Sequence, residues 1–133
     1  MSDHTNIQTI EAMTTAVFGQ DHEALAKIFK DDLGFHLRGP HPMAGDHVGL
    51  GSFLDVLGWI FEATGGKIDL DQKLCLANDG WAAEFEYATL GRTADADTVL
   101  SQNSFVYRFD GGRIAEMWMY IGLDATEAEK FFS

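Results

Sequence analysis

The sequence predicts an α+β domain, with helices first and a curved, mainly antiparallel sheet after them. Two observations carry that expectation. Apolar residues recur at helical spacing through the first third, and a period of two takes over from about Leu33. Ser101–Ile121 then reads as a β-hairpin, two alternating strands around Asp110-Gly111-Gly112, whose glycines supply the positive φ of a tight turn. Helices followed by a meander place the N-terminal helices on one face of the sheet.

The helical third contains two segments. Thr5 with Gln8 three residues on has the form of a capping box, followed by Ile7, Ile10, Thr14, Val17 and Phe18. Gly19-Gln20 breaks the pattern, and Asp21 caps a second short helix carrying Leu25, Ile28 and Phe29. A strand follows, with Leu33, Phe35 and Leu37 alternating against Gly34, His36 and Arg38 until Gly39-Pro40-His41-Pro42 ends it. A loop is expected to about Gly51, then a third helix with Phe53, Leu54, Leu57, Ile60 and Phe61, stopped by Gly65-Gly66.

The remainder is strand and turn. One strand alternates from Ile68 to Leu76 before the turn Asn78-Asp79-Gly80. The next carries Trp81, Ala83, Phe85, Tyr87 and Thr89 up to a polar loop near Thr93–Asp97. After the hairpin, Asp124 and Glu127 form a capping box for a terminal helix ending in Phe131-Phe132.

Composition narrows the function. The chain of 133 residues makes one domain, 1–133, able to bury a single core, and 46% of it is hydrophobic. Nine basic residues against 21 acidic ones leave a net charge of −12, which repels nucleic acid and anionic lipid. No apolar run matches a membrane span and no leader pattern opens the sequence, so a cytoplasmic protein is expected. The lone Cys75 falls in an apolar strand pattern and reads as a core residue. No motif for a metal, a phosphate or a nucleophile elbow occurs, so neither metal nor cofactor is expected.

Strand alternation assigns the side chains to two faces, the more apolar set facing the helices. The expected pocket wall therefore holds Phe35, Leu37, Phe85 and Tyr87, together with Asn103, Phe105 and Tyr107. Met117, Met119 and Ile121 complete its sheet side, and Phe53, Leu57 and Phe61 face it from the third helix. The outer face is expected to carry His36, Arg38, Glu84 and Glu86. Arg108, Glu116, Trp118 and Tyr120 lie there too, an amphipathic patch suited to a homodimer.

The order of elements resembles the SnoaL-like branch of the nuclear transport factor 2-like superfamily over roughly residues 8–122. The resemblance rests on Phe35-His36, Pro42-Met43-Ala44-Gly45, Gly65-Gly66 and, above all, the run from Tyr107-Arg108-Phe109-Asp110 to Glu116-Met117-Trp118. It implies a cone-shaped barrel of the cystatin-like superfold, open at one end, with a pocket between helices and sheet, and commonly a dimer. SnoaL-like cyclases typically carry Glu-His-Trp-Asp where this chain has Glu116-Met117-Trp118-Met119. Ketosteroid isomerases place acids at positions nearest to Leu37 and Phe105 here. Both sets of proton carriers are replaced.

The leading expectation is thus a pocket protein binding a small apolar metabolite, polyketide-, terpenoid- or steroid-like, with little chemistry. One alternative is an isomerase, cyclase or lyase working by cofactor-free acid–base chemistry through Tyr107, Tyr87, His41 or His47. A protein-interaction module using the outer sheet face is the other. His36 points outward, so it is expected to pair with Glu116 or Glu84.

Overall fold

A computed structural model describes residues 4–92 and 97–132. These form α1 (Thr5–Phe18), α2 (His22–Ile28), β1 (Phe29–Arg38), β2 (Gly45–Val48), α3 (Leu50–Thr64), β3 (Ile68–Ala77), β4 (Trp81–Gly91), β5 (Thr98–Asp110), β6 (Arg113–Tyr120) and α4 (Ala125–Phe132). The strands make one curved, unclosed, six-stranded sheet in the order β2-β1-β6-β5-β4-β3. All neighbours run antiparallel except β1 and β6, which pair in parallel. The polar loop expected at Thr93–Asp97 lies outside the described residues apart from Asp97.

Local chemistry sets the element ends. Gly111 and Gly112 take φ of 61° and 80°, and Asp110 pairs with Arg113, so two residues suffice to join β5 to β6. Asn78 Oδ1 accepts from the N–H groups of Gly80 and Trp81 and closes the β3–β4 turn. Asp21 caps α2 by accepting from Ala24 N–H. Asp124 and Glu127 form a reciprocal capping box, with bonds of 2.8 and 3.3 Å. Gly65 ends α3 in the left-handed conformation, φ 62°.

Three local expectations need correction. His4, not Thr5, caps α1, because its Nδ1 accepts from Asn6 N–H. Phe29 opens β1 instead of closing α2, and it sits in the core beside Phe53. The stretch expected to be loop up to Gly51 contains β2, which pairs with β1 from Gly34↔Val48 to Leu37↔Gly45. Four residues are too few to reveal a period, so β2 takes its form from the ladder of its neighbour.

The core lies between α1, α3 and the inner sheet face, centred on Ile10, Leu33, Phe35, Phe53, Tyr107 and Ile114. Leu37, expected to line the pocket, is fully buried in this core instead.

The largest departure is in β4, whose faces are reversed. Its ladder with β5 sets Ala82 opposite Tyr107, Glu84 opposite Phe105, Glu86 opposite Asn103 and Ala88 opposite Ser101. Glu84 and Glu86 therefore face the helices and are buried, while Phe85 and Tyr87 lie on the outer face. Apolar bulk does not mark the inner face of β4, because the outer face of the sheet is itself rich in aromatics. Trp81, Phe85 and Tyr87 join Trp118 there, with Lys73 over the Tyr87 ring.

Candidate functional site

Between α1, α3 and the inner faces of β3–β6 lies a cavity of about 140 Å³, with Phe131 of α4 contributing to its wall. Phe35, Phe53, Leu57, Phe61, Phe105, Met117, Met119 and Ile121 line it, as does Asn103. Leu37, Phe85 and Tyr87 do not, for the reasons given above. Sequence reasoning missed Glu84, Glu86, Ser101 and Trp59, all of which reach the wall. The β4 residue opposite the inward-facing Asn103 shares its face, and only the strand register shows that this residue is Glu86.

The polar part of the cavity holds two hydrogen-bonded groups, one around Glu84 and one around Asn103. Glu84 accepts from Tyr107 Oη–H at 2.8 Å and from Gln72 Nε2–H at 2.7 Å. Asn103 Oδ1 accepts from Ser101 Oγ–H at 2.6 Å and from Gly122 N–H at 3.4 Å. That leaves the Asn103 amide NH₂ to donate to Glu86. Gly122 passes so close to the Gln102 carbonyl that no side chain fits at this position, which is what lets its N–H reach Asn103.

Burial raises the pKa of Glu86 to about 7, the charge of Glu84 adds to the rise, and the Asn103 hydrogen bond works against it. The Tyr107 phenol is pushed well above its ordinary value, first by burial and then by Glu84. Two carboxyl groups at i and i+2 of one strand have Cβ atoms roughly 6.6 Å apart, close enough for one to oppose ionisation of the other.

The proposed catalytic histidines differ in placement. His41 reaches the cavity wall, its ring edge-on to Trp59 at 4.9 Å. Its Nδ1 accepts from Met43 N–H at 2.9 Å, which puts the proton of the neutral ring on Nε2. Burial, helped by the nearby His47, lowers its pKa to about 4, so it is neutral at physiological pH. His47 is not part of the wall: its Nε2 donates to the Met43 carbonyl at 2.7 Å and its ring lies 5.9 Å from that of Phe35. Tyr107 is at the wall with its hydroxyl donated to Glu84, which makes it a positioning group for that carboxylate.

On the outer face His36 bridges three strands, Nδ1 to Asp46 and Nε2 to Glu116, each at 2.7 Å. Arg38 reaches Asp46 and Arg108 reaches Glu116. His36 stacks on Trp118, and Trp118 on Trp81. Among the described residues no cluster of His, Cys, Asp and Glu has the form of a metal site, and no helix is long and apolar enough to cross a membrane.

No protein-family model and no curated protein matches the chain. Solved structures do. Bal32a, from a soil-derived mobile gene cassette, is 22% identical with a TM-score of 0.83 over 97% of each chain. A nuclear transport factor 2-like protein from Burkholderia xenovorans LB400 is 18% identical with a TM-score of 0.80, covering 100% of this chain and 99% of that one. A provisionally named SnoaL-like polyketide cyclase from Jannaschia sp. CCS1 is 10% identical with a TM-score of 0.77 over 91% of each chain. The α+β architecture, helices packed on a curved sheet, is thus shared with these structures. The chain has the nuclear transport factor 2-like fold.

Proposed function

We propose that the protein takes a small, largely apolar molecule into the cavity and moves a proton on it, as an isomerase, cyclase or lyase that relies on its own side chains. The observation that carries this reading is Glu86, a carboxyl group buried in a largely apolar wall and poised to gain or lose a proton near pH 7. The expectation of a pocket with little chemistry rested on the lack of an inward acid or base. The reversed β4 removes that premise.

Glu86 gives a proton to the ligand and recovers one from another atom of it; Glu84, held by Tyr107 and Gln72, keeps the proton affinity of Glu86 high. A positioned acid or base contributes about 10²–10⁴-fold in rate. The volume fits a ligand of about one ring, since a cavity of about 150 Å³ holds benzene. The test is hydrogen exchange in D₂O across a panel of small enones, alkenes and alcohols, followed by mass spectrometry. At least one compound should gain deuterium or isomerise with the wild type, and about a hundredfold more slowly with Glu86→Gln. A wild type that binds panel members and exchanges nothing leaves only the binding function.

We also propose that a second copy of the chain covers the outer face. Leu74, Leu76, Trp81, Leu100 and Tyr120 are all exposed there, an apolar area flanked by Arg108 and Glu116.

A further inference from the structure

The cavity is suited to charge of one sign only. Its wall carries Glu84 and Glu86 and, among the described residues, neither lysine nor arginine. His41 is neutral there, and Tyr107 keeps its proton. The side-chain donors of its polar part already serve acceptors of the protein: Tyr107 and Gln72 serve Glu84, Ser101 serves Asn103, and Asn103 serves Glu86. A ligand carboxylate, or an enolate forming during reaction, would add a negative charge beside two carboxyl groups, with no cation to offset it.

Positive charge meets the opposite conditions. Glu84 and Glu86 reach the cavity from β4, and the side chains of Phe35, Phe53, Phe105, Trp59, Met117 and Met119 make up much of the rest of its wall. The net charge of −12 raises the local concentration of cations around the molecule.

We infer that the cavity is a binding site for lipophilic ammonium ions, with the ammonium at Glu86 and Glu84 and the hydrocarbon part among the aromatic and methionine side chains. This rests on the reading of the cavity as a ligand site and adds the sign of the charge it holds.

Calorimetric titration with benzylamine, benzyl alcohol and benzoate tests it. At pH 7, in two buffers of different ionisation enthalpy, benzylamine should bind at least about tenfold more tightly than benzyl alcohol, and benzoate should not bind. Because burial holds Glu86 partly protonated near that pH, seating the ammonium should release protons, while the alcohol releases none. Glu86→Gln should bring benzylamine down to the affinity of the alcohol, whose retained binding shows that the variant is folded. Should that variant fail to fold, proton release by the wild type decides the matter. Benzyl alcohol binding as well as benzylamine, or amine binding without proton release, overturns the inference and leaves the proton-transfer reading standing. Failure of all three compounds to bind overturns both.

Discussion

The Tyr107 hydroxyl donates a 2.8 Å hydrogen bond to Oε1 of Glu84, and neither residue's role can be stated without the other. Tyr107 is fully buried, with its ring stacked near that of Phe105. Replacing it by phenylalanine keeps the ring and withdraws a donor from a buried carboxylate. Tyr107→Phe should therefore lower stability by about 1.5–3 kcal/mol at neutral pH, as measured by urea unfolding. An unchanged midpoint would mean that water serves Glu84 equally well.

Glu86 makes stability depend on pH in a direction opposite to most carboxylates. Its pKa is higher in the folded protein, about 7 against an ordinary 4.5, so between these values the native state holds more protons than the unfolded chain. Stability should thus fall as pH rises from about 4.5 to about 7, by an amount on the order of 3 kcal/mol at ~1.4 kcal/mol per unit. Glu86→Gln should flatten that slope and raise the melting temperature at pH 8. A slope that survives the substitution would assign the effect to another group.

The outer face predicts a concentration-dependent dimer. Trp81 and Leu76 are exposed by 47% and 59% on that face, away from the cavity. The double variant Trp81→Glu, Leu76→Glu should sediment as a monomer with its fold intact, whereas the wild type sediments as a dimer. A monomeric wild type at micromolar concentration would end this reading.

What the residues disclosed in advance depended on whether a local signal existed. The β5–β6 hairpin was legible because Asp110-Gly111-Gly112 allows almost one turn geometry, and the inward placement of Asn103, Phe105 and Tyr107 followed from alternation alone. Of the two capping boxes, the one at Asp124 and Glu127 formed as read. Thr5 lost its expected role to His4, which also reaches Asp79 across the molecule. His36 pairs with Glu116, one of the two partners expected from its outward direction.

The facing of β4 was not legible by the same route. Trp81, Phe85 and Tyr87 are larger and more apolar than Ala82, Glu84, Glu86 and Ala88, and a rule that buries bulk chooses the wrong set. Only the register with β5 decides the matter, and that is a long-range property. The same holds for the parallel ladder of β1 with β6, which no short-range pattern encodes.

That ladder has a consequence for biogenesis. Apart from the four-residue β2, the strand Phe29–Arg38 has no hydrogen-bonded neighbour until Arg113–Tyr120 has been synthesised. A nascent chain halted before Arg113 can form its early helices and the β3–β4 hairpin, yet its first strand stays without its principal partner. Closure of the cavity thus waits for Arg113–Tyr120, and truncation before Arg113 should abolish it wholesale instead of trimming it.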